Sequence, residues 1–262
     1  MALYTTTDMM VSFACFNASV RDALRSECGI SVTEYRLLAF LVDRKEPAKP
    51  ADATEVLGLS PAMTTKTANE LVEKLLVERV AARGTPALLV TARGVMLSHD
   101  ADIVLEHVHE LFFSPLTSEH KDLIVVSTQM TIMAVTKANR MKDDSFFGEY
   151  ETFHAFLLFE KLMTETAQSC GLSMNGFRIL FHINERGGIT SPGELSEQLI
   201  LAPSAIAYAI KALERDGFIA RCAPKLDKRQ RPIRITDRGA AVFCQADVSL
   251  GFHKQKRIVG VL

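Results

Sequence analysis

The sequence lacks the marks of secreted, membrane-spanning and disulfide-stapled proteins. No basic residue precedes Arg21, so the positively charged start of a signal peptide is missing. The longest stretch without a charged residue runs from Leu123 to Thr136 and, at 14 residues, is too short to cross a bilayer. The five cysteines are scattered and form no C-x-x-C pair, unlike those of a disulfide framework. We therefore expect a cytoplasmic protein without a membrane partner.

A charge excess of either sign is also missing, and so are motifs for catalysis. Lys and Arg number 30 against 31 Asp and Glu, so a surface for nucleic acid would have to be local. The sequence contains no G-x-S-x-G, G-x-G-x-x-G, Walker or H-E-x-x-H motif. We expect a protein that is not an enzyme and that binds no cofactor and no metal. Hydrophobic residues make up 48% of the chain, which excludes wholesale disorder.

What the sequence does contain is an internal repeat. After a shift of 142 positions, Cys28-Gly29-Ile30-Ser31 lies over Cys170-Gly171-Leu172-Ser173. The match continues without a gap for about fifty residues, about a quarter of them identical. After a three-residue deletion in the first copy, Thr91-Ala92-Arg93-Gly94 matches Thr236-Asp237-Arg238-Gly239. Two copies of one domain are predicted: residues 1–142, with a long helical extension, and residues 143–262, shortened at the C-terminus.

Local patterns in the second copy predict a winged helix-turn-helix. An apolar stripe at helical spacing covers residues 174–185. Ser191, followed by Pro192 and Glu194, predicts a capping box that starts a short helix to about residue 200. A third helix begins at Pro203 and ends at Asp216 and Gly217. Two β-prone runs, at 218–222 and 232–235, flank a polar tip and predict the hairpin wing.

The first copy repeats these signals, with a capping box at Ser31 and Glu34 and a helix start at Ser60. Long helical patterns precede the copies at residues 8–27 and 148–169, and a further pair lies between them at 92–113 and 118–141. The predicted fold class is mainly α with small β-hairpin wings. It consists of tandem winged helix-turn-helix domains on a shared helical body like a dimerisation domain.

The order and spacing of several motifs resemble the multiple-antibiotic-resistance regulator (MarR) family. These motifs are the leading long helix, Ser31-x-x-Glu34-Tyr35-x-x-Leu38, Ser60-Pro61, Leu-Glu-Arg-Asp-Gly-Phe-Ile at 213–219, Asp227-x-Arg229, Thr236-x-x-Gly239, and the Ser-Pro-Leu-Thr break within 111–119. The resemblance covers nearly the whole chain, twice, and implies a sequence-specific transcriptional regulator that binds double-stranded DNA. Because family members usually form homodimers, two copies in one chain imply a single-chain pseudo-dimer. A monomer is favoured, and homodimerisation stays open.

In such a fold, the residues at the start of each third helix face base edges in the major groove. Two sets of residues are therefore expected to contact DNA. They are Thr64, Thr65, Lys66 and Asn69 in the first copy, and Ser204, Ala207, Tyr208 and Lys211 in the second. Because the two sets differ, we expect an asymmetric operator.

The two wings differ in charge. Residues 221–238 hold seven basic and two acidic side chains, an excess typical of a surface that contacts phosphate. We expect Lys228, Arg229 and Arg231 to contact DNA; the family resemblance implies that Arg229 enters the minor groove and that Asp227 orients the wing. The first wing is about three residues shorter, and Arg83 is the cation near its tip. We therefore expect the first copy to bind DNA more weakly.

Other groups of residues leave alternatives open. Asp102, Glu106 and His109 share one helical face, which is a charged solvent face or, as in some family members, a zinc site. Cys15 lies where a peroxide-sensing branch of the family has its reactive cysteine, but its apolar neighbours favour core packing. The phenylalanines at 112–113, 146–147 and 153–159 form core or, as the family implies, line a pocket for a small aromatic effector.

Two functions compete with a regulator. A plasmid-type replication initiator also carries tandem winged helices and binds DNA as a monomer. A winged-helix scaffold would bind protein instead, which the poorly charged first wing allows and the basic second wing disfavours. The 142-residue repeat and the Ser-Pro-Leu-Thr break favour the regulator.

Overall fold

The computed structural model of the chain describes residues 7–82, 84–115, 117, 150–222 and 232–246. The chain divides into two compact units. The N-terminal unit comprises residues 16–123 and 143–150, and the C-terminal unit comprises residues 1–15, 124–142 and 151–262. The predicted boundary between residues 142 and 143 and the predicted helix 118–141 lie outside the described residues.

The N-terminal unit consists of helices around a β-hairpin. Helix α1 (Thr7–Glu27), whose residues up to Cys15 are grouped with the other unit, is followed by α2 (Val32–Arg44), α3 (Pro50–Leu57) and α4 (Pro61–Glu73). Strands β1 (Val77–Ala82) and β2 (Thr85–Val90) pair antiparallel, and α5 (Ala92–Phe113) follows them. Two helices joined by a turn and followed by a hairpin form a winged helix-turn-helix.

The C-terminal unit has the same order of elements. It contains α6 (Tyr150–Ser169), α7 (Met174–Glu185), β3 (Ile189–Thr190), α8 (Pro192–Gln198), α9 (Pro203–Arg215), β4 (Ile219–Arg221) and β5 (Ile233–Ile235). Residues 237–246 form a further helix, α10. The prediction of a mainly helical fold with small hairpin wings is confirmed, and the helices predicted at 92–113 and 174–185 have the predicted ends.

Short polar motifs start the helices. The Ser31 hydroxyl accepts a hydrogen bond from the Glu34 amide at 3.2 Å, and the Glu34 carboxylate accepts one from the Ser31 amide at 2.7 Å, so this capping box is confirmed. The Ser191 hydroxyl also caps its helix, accepting from the Glu194 amide at 3.2 Å. The second half of that capping box was predicted wrongly, because the Glu194 carboxylate accepts from the Thr190 hydroxyl at 2.8 Å instead.

A third strand joins each hairpin, which the sequence did not predict. In the C-terminal unit the strand order is β3-β5-β4, with Thr190 opposite Ile233. In the N-terminal unit a single bridge joins Ala48 to Leu88, which are the positions matched to Thr190 and Ile233 by the sequence repeat. A strand of one or two residues has no alternation that a sequence could display.

The helix after each wing begins against the turn that precedes the wing. The Thr91 hydroxyl donates to the Leu76 carbonyl at 3.1 Å, and the Thr236 hydroxyl donates to the Phe218 carbonyl at the same distance. Glycine follows three residues later, where a Cβ would lie 2.1 Å from the Leu76 oxygen at Gly94 and 2.0 Å from the Phe218 oxygen at Gly239. Only glycine allows this close approach of backbone to backbone.

Each unit buries its own apolar side chains. In the C-terminal unit, Met10 and Val11 of α1 share one buried cluster with α6, α7 and α9, including Leu162, Phe177 and Ile210. In the N-terminal unit the fully buried side chains include Phe16, Leu37, Leu38, Leu41, Leu71, Leu76 and Leu88. Within the described part of the chain, the helices are each too short or too polar to cross a bilayer.

Candidate nucleic-acid interface

A buried arginine positions the second helix-turn-helix. Arg178 projects from α7, is 7% exposed, and donates from Nη2 to the Leu199 carbonyl at 2.8 Å. The turn is closed again by the Ser196 hydroxyl, which donates to the Leu201 carbonyl at 2.7 Å. Burial lowers the pKa of Arg178, and the nearby Cys15 and Glu160 partly offset that effect. The start of α9 is therefore held to α7 through the end of α8.

Helix α9 divides cleanly into a buried face and an exposed face. The buried residues are spaced at helical intervals: Ile206, Ala209, Ile210 and Leu213. The four residues expected to contact bases, Ser204, Ala207, Tyr208 and Lys211, are all exposed, and they form what we call the outer face of α9. The Tyr208 ring is 79% exposed, an unusual position for a large side chain that the fold does not use.

The second wing is joined to α9 by an ion pair. Arg221 of β4 contacts the Glu214 carboxylate through Nε at 2.7 Å and through Nη2 at 3.3 Å. Arg238 lies over the Phe218 ring, 5.2 Å from its centroid. Both cations belong to the basic excess of residues 221–238, and both thus have partners within the unit. Arg234 is exposed on β5.

The tips of both wings lie outside the described residues. This applies to Asp227, Lys228, Arg229 and Arg231 in the second wing and to Arg83 in the first. The expectations for these five residues therefore stay predictions. Up to its tip the first hairpin is regular, with Ala82 opposite Thr85, whereas in the second wing residues 223–231 separate the described parts.

The N-terminal unit places the expected base-contacting residues differently. Thr64, predicted to contact bases, is 1% exposed, and its hydroxyl is within 2.9 Å of the Thr54 hydroxyl and 3.2 Å of the Ser60 carbonyl. That prediction is wrong, because Thr64 faces α3 and fastens the turn between the two helices. Thr65, Lys66 and Asn69 are exposed on the opposite face of α4.

Two of these exposed residues of α4 already have partners. Lys66 is 3.7 Å from the Glu70 carboxylate one turn away. The Asn69 side-chain oxygen accepts a hydrogen bond from Arg79 of β1. Lys211, at the position that matches Asn69, is exposed, and no hydrogen bond or ion pair of Lys211 occurs among the described residues. The outer face of α9 is therefore more open to a ligand than that of α4.

A second buried arginine repeats the turn contact of the C-terminal unit. Arg36 of α2 donates from Nη2 to the Leu57 carbonyl at 2.8 Å, and burial lowers the pKa of its guanidinium to about 10. Arg36 and Arg178 are identical residues at matched positions within otherwise apolar stripes, and that was a sequence signal for a structural arginine. Each guanidinium donates to a carbonyl of its own turn.

The remaining candidate groups have structural partners. Asp102 accepts a hydrogen bond from the Tyr35 hydroxyl at 2.9 Å, and the His109 ring is 4.5 Å from the Phe113 ring. Among the residues that the model describes, no cluster of three His, Cys, Asp or Glu side chains could hold a metal ion. Phe16 packs against Phe112 and Phe113, with ring centroids 5.1 and 5.7 Å apart.

Cys15 and the other phenylalanines of the effector hypothesis are placed as follows. Cys15 is partly buried and packs against the core of the C-terminal unit, as its apolar neighbours indicated. Phe153 is 4% exposed. The phenylalanines at 146–147 lie outside the described residues.

Comparison with known proteins identifies the C-terminal winged helix. The MarR family model matches residues 172–230, which include α7, α8, α9 and β4. No curated protein matches the chain in sequence.

Three solved structures show the extent of the similarity. A MarR-family regulator from Rhodococcus sp. RHA1 is 22% identical over 47% of this chain and 86% of its own, with a TM-score of 0.42. CouR from Rhodococcus jostii RHA1, bound to p-coumaroyl-CoA, is 22% identical over 49% of this chain and 88% of its own, with a TM-score of 0.42. A Mycobacterium tuberculosis MarR-family protein in complex with DNA is 22% identical over 45% of this chain and 89% of its own, with a TM-score of 0.39.

TM-scores below 0.5 add no weight to a functional conclusion. The family match, by contrast, covers the segment that contains the buried Arg178, the turn before α9 and the outer face of α9. Residues 172–230 are therefore similar to the winged-helix segment of the MarR family.

Proposed function

We propose that the protein is a sequence-specific transcriptional regulator that binds double-stranded DNA and is not an enzyme. The observation that carries the proposal is the outer face of α9. Four side chains able to contact base edges lie there, and Tyr208 is 79% exposed without a role in the core. An α-helix fits the major groove, and residues near its start meet the bases.

The two sides of the interface suit different bases. Tyr208 offers an apolar ring to a thymine methyl and a hydroxyl to a polar edge, and Lys211 and Lys66 can donate to guanine. Ser204 and Thr65 contribute hydroxyls near the starts of α9 and α4. We propose that the operator is accordingly asymmetric, with half-site centres about 10 bp apart if the family's spacing of one helical turn is kept.

The wings complete the proposed contact surface. We assign phosphate and minor-groove contacts to Lys228, Arg229 and Arg231 in the second wing, with Asp227 orienting it, and a single such contact to Arg83 in the first. A cationic loop beside a major-groove helix neutralises phosphates and favours the narrow minor groove of A·T-rich DNA. With more cations and a less occupied outer face, the C-terminal unit supplies most of the affinity.

We further propose that residues 1–142 and 143–262 are two copies of one domain and that the chain acts as a single-chain pseudo-dimer. The arginine-to-carbonyl contacts at matched positions support the duplication, since both measure 2.8 Å. The matched threonine and glycine contacts after each wing support it as well. The contribution of Met10 and Val11 to the core of the C-terminal unit fits a helix shared within one chain.

Gating by a small aromatic effector and a cytoplasmic location complete the proposal, and both rest on the family match alone. The described phenylalanines of the N-terminal unit pack against each other.

Selection of bound fragments from genomic DNA, followed by footprinting, tests the central proposal. We expect one duplex site per chain, protected unequally on its two halves. Tyr208→Ala and Arg229→Ala should each weaken binding by a factor of about 5 to about 150 at about 0.15 M salt, a loss of about 1–3 kcal/mol. Lys161→Ala, an exposed lysine of α6 outside the helix-turn-helix, is the control and should leave the affinity unchanged.

Each part of the proposal has its own contrary outcome. Parent-like affinity in both Tyr208→Ala and Arg229→Ala would exclude the winged-helix surface as the DNA-binding site. A perfect palindrome protected equally on both halves would contradict the asymmetric operator. Sedimentation at micromolar concentration should give about 29 kDa, and a tight dimer would contradict the single-chain arrangement.

A further inference from the structure

The N-terminal unit contains a cavity that the DNA-binding surface does not use. It has a volume of about 650 Å³ and lies between the loop after α1, the end of α4 and the first two turns of α5. Aliphatic side chains dominate its lining, namely Ile30, Leu75, Leu76, Met96 and Leu97. No aromatic residue is among the described residues that line it. A volume of this size is within the range of small-molecule sites.

Two lining side chains are exposed at a cost to the fold. Leu75 is 67% exposed, and its φ of 59° lies in the left-handed region that side chains with a Cβ avoid. Met96 is 69% exposed on α5. At the matched positions the C-terminal unit has Gly217, with a φ of 74°, and Ala241. Two large apolar side chains thus border the cavity, whereas the C-terminal unit has a glycine and an alanine at the matched positions.

The cation beside the cavity is also differently placed from its counterpart. Arg238 of the C-terminal unit lies over the Phe218 ring, near the Asp216 carboxylate, whose pKa is lowered mainly by the hydrogen bond from Arg215 and to a smaller extent by Arg238. In the N-terminal unit the matched residues are Arg93, Leu76 and Lys74, so both the ring and the acid are replaced. Arg93 is exposed, and among the described residues it has no hydrogen bond, ion pair or ring contact.

The other charged residues of the lining are Glu73, Lys74 and Asp100, and Lys74 already has partners on the protein. Lys74 is 2.6 Å from the Glu34 carboxylate and donates to the Gly29 carbonyl at 2.9 Å. Asp100 lies at the Cys28 end, where burial, then Glu27, then Asp100 raise the pKa of the Cys28 thiol. Among the described residues of the lining, Arg93 is therefore the cation without a hydrogen-bond or ion-pair partner, and Glu73 and Asp100 are the acidic residues.

We propose that this cavity binds a small aliphatic monocarboxylate. Its carboxylate accepts paired hydrogen bonds from the Arg93 guanidinium, the geometry that arginine offers best. Its hydrocarbon chain lies along Leu75 and Met96, which covers apolar surface that otherwise faces water. The site is separate from the outer faces of α4 and α9, so it stands or falls independently of the DNA-binding proposal.

Isothermal titration of the full chain with octanoate tests the proposal, with octan-1-ol and acetate as ligands that lack the charge or the chain. We expect octanoate to bind at least tenfold more tightly than either. Arg93→Gln should weaken octanoate binding at least tenfold, and Met96→Ala should weaken it about threefold. Both residues are exposed, so neither substitution is expected to disturb folding.

Arg238→Gln, the matched arginine of the C-terminal unit, is the control and should change the affinity less than twofold. The proposal is overturned if octanoate does not bind below its micellar concentration. Equal affinity for octan-1-ol, or an equal effect of Arg238→Gln and Arg93→Gln, would also overturn it, because binding would then not depend on the Arg93 charge.

Discussion

The two winged-helix units share the hydrogen bonds that hold their helices together, and they differ in the side chains that they expose. In each unit, an arginine donates a hydrogen bond of 2.8 Å to a backbone carbonyl at the end of the short helix. A threonine hydroxyl in each unit donates a hydrogen bond of 3.1 Å to a backbone carbonyl in the turn before the wing. On the outside, Lys66 and Asn69 have partners on the protein, whereas Tyr208 and Lys211 are open. The contacts that make the fold and the contacts that would select a ligand therefore reside in separable sets of residues.

The largest expected effect concerns the glycine at the start of the helix after each wing. It tests whether both units need the close contact between this glycine and the carbonyl of the turn before the wing. Gly94→Ala and Gly239→Ala should each destabilise the protein by about 3 kcal/mol or more, because the new Cβ meets a carbonyl oxygen near 2 Å that cannot move aside. Urea unfolding followed by far-UV circular dichroism measures the loss. Gly193→Ala, a helical glycine with nothing within 4 Å of the new Cβ, is the control and should be neutral or stabilising. A cost of under 1 kcal/mol in either unit would show that its helix start can shift.

The next comparison concerns the buried arginines. Arg36→Met and Arg178→Met should each cost about 2 kcal/mol of unfolding free energy, because a charged hydrogen bond is lost and a carbonyl at the turn is left without its donor. Arg186→Met, an exposed arginine of the same unit as Arg178, should change stability by less than about 0.5 kcal/mol. Equal effects of Arg178→Met and Arg186→Met in the same denaturation experiment would contradict a fastening role for Arg178.

A smaller effect compares the two outer faces in DNA binding. Lys211→Ala should weaken binding to the selected operator about five- to tenfold, a loss of about 1 kcal/mol, since its ammonium has no partner among the described residues to give up. Lys66→Ala should weaken it less than threefold, because Glu70 at 3.7 Å already offsets its charge. Fluorescence anisotropy titrations at two salt concentrations measure both. If Lys66→Ala has the larger effect, the N-terminal unit is the dominant DNA-binding unit and the assignment is reversed.

The smallest effect exchanges one turn residue between the units. Ile200 has a φ of 50° and is 66% exposed, and the matched residue of the N-terminal unit is Gly58 with a φ of 62°. Ile200→Gly should stabilise the protein by up to about 1 kcal/mol, and Gly58→Ile should destabilise it by about 1–2 kcal/mol, because a β-branched residue is strained in this region. Thermal unfolding of the two variants should shift in opposite directions. A shift in the same direction would mean that contacts of the Ile200 side chain outweigh its backbone strain.

The sequence was a good guide wherever a pattern repeats over a turn or more of helix. The helical patterns and caps predicted the start of α2 and both ends of α5 and α7. It was a poor guide to two-residue features such as β3. The burial of Thr64 was missed because Thr64 and Thr65 are adjacent hydroxyl residues, and only the packing of α3 against α4 decides which one faces outward.

The arginine-to-carbonyl bonds also have a consequence for motion. The bond from Arg178 to Leu199 joins α7 to the end of α8, and the bond from Ser196 to Leu201 joins α8 to the residues before α9, so a movement of one of these segments relative to the others would disturb one of the bonds. Helices α7, α8 and α9 should thus move as one rigid body. Amide hydrogens in the turn at 199–201 should exchange with solvent only when these three helices open together. Their exchange should therefore occur on the same slow timescale as that of the amides of α7.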